Sequence, residues 1–225
     1  GVEDAAGANA TLFDNLQVQN GLAVKFVPQA SPCTFGDVPQ SYWAYSFVET
    51  LVANGVTRGC SLNPPLYCPE NIVTRAQMAV FLLTASGQYS SSNPPPPATG
   101  MFADVPISDP FAPWIEAMAL AGISSGCGGG NFCPNNAVTR AQMAVFLLTA
   151  SGQYSSSNPP PPATGMFADV PISDPFAPWI EALAASGVTS GCGGGNYCPN
   201  SAVTRAQMAV FLVAEFELTG EGSGE

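Results

Sequence analysis

Arg75, Arg140 and Arg205 stand 65 residues apart, each inside the same string Val-Thr-Arg-Ala-Gln-Met-Ala-Val-Phe-Leu. They are three of only five cations in a chain of 225 residues whose net charge is −11. A guanidinium can donate two parallel hydrogen bonds to a carboxylate. At the first turn of a helix it also stands beside free backbone N–H groups that favour anions. The chemistry on offer is recognition of an acidic group. A structural role fits the same residues: each arginine could pair with a nearby carboxylate, such as Asp37, Asp104 or Asp169 of a repeated Phe-x-Asp-Val-Pro motif.

Seven cysteines are the next reactive groups, and six follow the repeat as Cys60 with Cys68, Cys127 with Cys133, and Cys192 with Cys198. Each pair brackets a short loop rich in Gly, Asn and Pro. The spacings do not match the C-x2-C knuckle of a zinc site, and the chain has no His to add a ligand. Disulfides within each repeat are expected, which places the protein outside a reducing cytosol. Each would contribute about 2 kcal/mol by closing a short loop. Cys33 is left over, with Gly100 and Gly165 at its equivalent positions. A free buried thiol and a bridge to another molecule both remain open.

Other chemistries are excluded or disfavoured. The absence of His rules out a Ser-His-Asp triad and c-type haem attachment. Asp104, Asp109 and Glu116 could be pictured as paired carboxylates of a glycosidase. Asp104 and Asp109 read instead as loop and cap residues, so no enzyme, cofactor or metal is expected. The acidic balance argues against nucleic acid and against an anionic bilayer, and no apolar run is long enough to span a membrane. No signal peptide is legible at the first residues, so any export signal is expected to have been removed or to lie outside this sequence.

The elements that position these residues are repeated. Val73 to Ala117 recurs letter for letter as Val138 to Ala182, a third copy ends near Leu212, and the first has diverged most. Repetition at this scale means stacked units rather than one active site. Each copy reads as helix, disulfide loop, helix. Ala44, Phe47, Val48, Leu51 and Val52 form one apolar helical face that stops at Asn54-Gly55. Asp109-Pro110 and Asp174-Pro175 resemble helix starts, with Pro113 and Pro178 leaving the start ambiguous by one turn. Thr74 with Gln77, Thr139 with Gln142 and Thr204 with Gln207 form capping boxes for the second helices. Met78, Phe81, Leu82 and Ala85 give the buried stripe.

The expected organisation is an N-terminal β-hairpin arm at 1–32, repeats at 33–89, 100–154 and 165–213, stiff Ser/Pro spacers at 90–99 and 155–164, and a C-terminal strand with acidic tail at 214–225. The arm is expected because Leu16 to Phe26 alternates about Asn20-Gly21. Asn9-Ala10-Thr11 matches a glycosylation sequon. The fold class is mainly α, three helix–loop–helix repeats closed about a pseudo-threefold axis or stacked in series, with a small terminal β element.

Phe35-x-Asp37-Val38-Pro39, Trp43-Ala44, Val48, Leu51, Gly55-Val56, Gly59 and Val73-Thr74-Arg75-Ala76-Gln77, with their later copies, resemble the S-layer homology repeat. That resemblance implies a bacterial cell-surface module whose grooves between repeats bind acidic cell-wall polysaccharide. The family's sugar-contacting Arg would be Arg75, Arg140 and Arg205. Its Trp is matched by Trp43; in the later copies that slot is Pro110 or Pro175, and Trp114 and Trp179 lie a turn further on. Gln replaces the family's Glu, and the cysteine pairs and proline spacers are additions. The expected function is non-catalytic attachment to cell-envelope polysaccharide. The alternative is a self-assembling extracellular filament or surface-array subunit, joined to neighbouring copies by terminal strand exchange.

Overall fold

The computed structural model describes residues 16–19, 23–26 and 33–220. The chain divides into two compact units, 1–33 and 34–225. In the first, β1 (Leu16–Gln19) and β2 (Ala23–Phe26) pair antiparallel, with Leu16 opposite Phe26 and Gln19 opposite Ala23. The Asn20-Gly21 turn, the sequon at Asn9 and the tail from 221 onward lie outside the described residues.

The second unit is helical. Its outer helices are α1 (Tyr45–Ala53), α3 (Ala112–Leu120) and α5 (Ala177–Ala185), and its inner helices are α2 (Arg75–Ala85), α4 (Arg140–Ala150) and α6 (Arg205–Glu215). A short ribbon, β3 (Ser61–Leu62) with β4 (Pro65–Leu66), decorates the first loop. Each inner helix starts at a complete capping box. At α2, the Thr74 hydroxyl accepts from the Gln77 N–H and the Gln77 side chain accepts from the Thr74 N–H, both at 3.3 Å. The inner helices are apolar on nearly every side. Helix α2 buries Ala76, Met78, Ala79, Phe81, Leu82, Leu83 and Ala85, as a helix must when it sits at the centre of a core.

The outer helices are amphipathic and cover this centre in a shifted order. Helix α3 packs on α2, α5 on α4, and α1 on α6. Each copy's first helix thus lies on the inner helix of the copy before it, and the first copy lies on the third. The backbone closes the same circle. The Val138 N–H donates to the Val73 carbonyl, Val203 to Val138, and Val73 to Val203, at 2.9–3.0 Å. A serial stack would leave the first and third copies apart, so the repeats form a pseudo-threefold ring.

Several expectations change. Helix α3 begins at Ala112 rather than after Asp109, and Pro113 falls within its first turn, where a missing N–H breaks no intrahelical bond. The Asp109 carboxylate instead accepts from the Phe111 N–H at 2.8 Å in the preceding turn. The expected strand at 214–219 is not one: α6 runs through Glu215 and closes at Phe216, with Glu217 left-handed (φ 50°) and the Leu218 N–H donating to the Val213 carbonyl. That is a Schellman-type cap. It folds Phe216 and Leu218 onto the core and brings the Thr219 carbonyl to the Asn54 amide at 2.8 Å.

The Ser/Pro segments are strapped to the body rather than held away from it. Pro95 and Pro160 are buried, and Tyr89 and Tyr154 meet Trp114 and Trp179 edge to face. One carboxylate pins the end of each strap. Glu116 accepts from the N–H groups of Thr99, Gly100 and Met101 and from the Thr99 hydroxyl, at 2.7–2.9 Å. Glu181 does the same for Thr164, Gly165 and Met166, and Glu49 holds Thr34.

Candidate functional site

The three repeated arginines sit at the first position of the inner helices and point across to the next copy. Their residues are only 5–7% exposed. Arg75 Nε donates to the Phe132 carbonyl at 2.8 Å, Arg140 Nε to that of Tyr197 at 2.8 Å, and Arg205 Nε to that of Tyr67 at 2.7 Å. Each guanidinium lies between two rings. For Arg75 these are Phe132 at 4.7 Å and Phe146 at 5.6 Å; for Arg205, Tyr67 at 4.6 Å and Phe81 at 5.3 Å.

The anticipated partners, the Asp residues of Phe-x-Asp-Val-Pro, face the other way. Asp104 accepts from the N–H groups of Phe132 and Cys133, both at 2.7 Å, and Asp37 and Asp169 make the matching pairs. One peptide residue is therefore gripped from both sides: its N–H by the Asp, its carbonyl by the Arg. The pairing is indirect because the loop backbone stands between the two charges. Partial burial opposes ionisation of Asp104 and Asp169, but the amide donors and the nearby arginine outweigh it and hold both carboxyls below the usual range. Burial pulls the Arg75 and Arg205 guanidiniums downward. Tyr197, whose hydroxyl donates to the Arg140 carbonyl, is pushed up to about 12 by the same cause.

The three arginines differ in their last donor. Arg75 Nη2 donates to Ser124 Oγ at 3.0 Å, and Arg140 Nη2 reaches Thr189 Oγ1 at 3.5 Å. Arg205 Nη2 is buried with no hydrogen-bond partner. Thr57 occupies the matching place and, like Ser124 and Thr189, accepts from the glycine N–H two residues on, but it takes no bond from Arg205.

Grooves run beside these arginines, each built from all three copies. The first, about 350 Å³, is lined by the first loop (Val56 to Cys60), by Gln77, Val80 and Phe81 of α2, by Arg205 and by Phe111. The matching groove of about 200 Å³ joins Arg140, the loop Val188 to Gly191, Gln207, Val210 and Phe211 of α6, and Trp43. Trp43 is 59% exposed there. Trp114 and Trp179 line neither of these grooves and pack edge to face on Tyr89 and Tyr154.

A fourth arginine lies outside the repeated motif. Arg58 is exposed in the first groove, where the other copies carry Ser125 and Ser190. Its signal was compositional: three of the chain's four arginines are spoken for by the repeat, and Arg58 interrupts a loop that is otherwise uncharged.

The carboxylates considered for catalysis have structural partners. Asp104 and Glu116 are occupied by backbone amides, and Asp109 caps a turn. Amide and hydroxyl donors hold the Glu116 carboxyl low against the opposing effect of burial. The three cysteine pairs are closed as disulfides, and Cys33 is a partly buried free thiol. Asp104 with Cys127 and Cys133, and Asp169 with Cys192 and Cys198, each gather within 4.8 Å. Their sulfurs are bonded to each other, so neither group offers the thiolates a metal would need. Among the described residues, no helix is long and apolar enough to cross a membrane.

Comparison with known proteins supports the same architecture. The family model of the S-layer homology domain matches residues 34–63, 102–144 and 167–209, together more than half of the chain. An S-layer protein of Bacillus thuringiensis subsp. finitimus is 27% identical over 80% of the chain, and an amylopullulanase of Thermoanaerobacterium thermosulfurigenes is 29% identical over 83%. Exoglucanase XynX of Acetivibrio thermocellus is 28% identical over 82%. The chain spans only 21%, 10% and 16% of these relatives' lengths. One matched segment falls in each of the three copies, the second and third reaching Val138 and Val203 and the first ending before Val73, and the chain belongs to the S-layer homology domain family.

Proposed function

We propose that the chain is a non-catalytic cell-surface module that attaches to an acidic cell-envelope polysaccharide through the groove of Arg205 and Arg58. The carrying observation is the exposed Arg58 in a groove that the buried guanidinium of Arg205 also lines. An acidic sugar lying along the groove would meet Arg58 first, with Gln77 and the apolar faces of Phe81 and Phe111 beneath it. The other two repeated arginines are committed to Ser124 and Thr189, so their grooves have less to offer an anion. Against a background of −11, a local pair of cations also selects where an acidic polymer can settle. Relatives with S-layer and polysaccharide-degrading names carry the same domain, as expected of a shared attachment device.

The test is sedimentation of the chain with purified acidic cell-wall polymer. Arg58→Ala should weaken binding about five- to tenfold, the worth of one charge-assisted contact of roughly 1–1.4 kcal/mol. Chemical reduction of the polymer's carboxyl groups should abolish wild-type binding. Binding indifferent to both changes would overturn the assignment.

A second role, self-assembly through the N-terminal arm, is supported by one observation. Residues 1–33 separate from the helical body as their own unit and contain a two-stranded ribbon. Such a ribbon is marginal alone and exposes pairing edges until another strand covers them. The 214–219 segment is not a strand.

A further inference from the structure

The far end of the helical core holds a feature that glycan attachment does not use. The three inner helices end together there, at Ser86, Ser151 and Phe216, and these residues line a pocket of about 290 Å³ with Ala150, Gln153, Glu215 and Glu217. Each helix C-terminus presents partial negative charge from its last carbonyls. Glu215 adds a full charge and is only 8% exposed. Its Oε1 accepts from the Gln153 amide at 2.8 Å, while its Oε2 is buried with no hydrogen-bond partner. No Lys or Arg lines the pocket. The feature belongs to the third copy alone, since Ala85 and Ala150 stand where Glu215 does in the others.

A buried carboxylate among negative helix ends must be neutralised by a proton or by a cation. The lining is rich in oxygen: two carboxylates and the hydroxyls of Ser86 and Ser151. Hard cations with flexible coordination take such sets, and Ca²⁺ does so with six to eight oxygens, water making up the number.

We propose that this pocket binds a hard divalent cation, Ca²⁺ in the first instance, with Glu215 as its principal ligand and Glu217 as the outer one. Binding there would tie the ends of all three inner helices together and so couple the ion to the stability of the ring. Burial pushes the Glu215 carboxyl upward, partly offset by the Ser151 hydroxyl, so a proton and a cation compete for the same carboxylate.

The experiment uses the full, oxidised chain stripped with chelator and titrated with CaCl2 by calorimetry and thermal unfolding. One saturable site is expected, with Kd about 10⁻⁴–10⁻³ M, the range of extracellular modules with few charged ligands. The thermal midpoint should rise with CaCl2. Glu215→Gln should weaken affinity by about tenfold or more and remove the thermal response, and Glu217→Gln should weaken it less. Neither heat nor thermal shift in the wild type would overturn the proposal and leave a protonated Glu215 in its place. Wild-type affinity in Glu215→Gln would overturn it too. Should that variant fail to fold, Glu217→Gln decides, since unchanged affinity there would remove the second ligand and with it the site.

Discussion

Replacing Arg75 with alanine separates a structural arginine from one that serves only a ligand. The side chain gives Nε to the Phe132 carbonyl at 2.8 Å and Nη2 to Ser124 Oγ at 3.0 Å, between the rings of Phe132 and Phe146. Both bonds cross from the first copy to the second. A hydrogen bond to a charged group contributes about 1.5–3 kcal/mol, and an orphaned buried carbonyl costs about 1–3. A desolvated cation–π contact adds about 1–2 kcal/mol. Against these stands the cost of burying the guanidinium, several kcal/mol, which alanine no longer incurs. The net expectation for Arg75→Ala is a loss of about 3–4 kcal/mol. For a domain of this size that lowers the thermal midpoint by about 6–16 °C. Arg205→Ala should lose about 1.5 kcal/mol less, because its Nη2 has no bond to lose. The assay is urea unfolding of the oxidised proteins, followed by far-ultraviolet circular dichroism. An Arg75→Ala protein within about 0.5 kcal/mol of wild type, the range of an ordinary surface substitution, would refute the staple. So would a larger loss at Arg205 than at Arg75.

Stability should also depend on pH with a sign that the carboxylates set. Asp104, Asp169, Glu116 and Glu181 have folded-state values held below their unfolded ones. Their contribution is fully present above the ordinary carboxylate range of about 4 and is lost as pH falls through the depressed values. Glu215 has the opposite sign: its raised value favours the fold below the ordinary range and loses that contribution as pH rises through it. Acid titration monitored by circular dichroism should therefore show unfolding below about pH 4, and Glu116→Gln should soften that transition; a pH-independent fold would contradict both. Light scattering addresses the arm: if it mediates assembly, deleting residues 1–29 converts large particles into monomers, whereas a monomeric full-length chain retires the filament.

Short-range features could be read directly from the residue order. The capping boxes join residues three apart, the disulfides close loops of a few residues, and the helix stops lie at Asn54-Gly55 and its equivalents. Each depends on neighbours in the chain, and three copies in register made the family pattern legible. The placements that matter for function depend on partners far along the chain. Nothing local says whether the third copy returns to the first, and the bond from Val73 to Val203 decides it. The arginines could have reached a sugar or an aspartate. They grip carbonyls of the following copy, because ring closure sets each helix start against the next disulfide loop. The C-terminal segment expected as a strand is too short for its pattern to distinguish a strand from a helix end, and packing of the partly buried Phe216 and Leu218 on the core chose the latter. Arg58 and Glu215 break the repeat at single positions, and only the ring brings each beside groups from the other copies, where one unmatched charge acquires a cavity to act in.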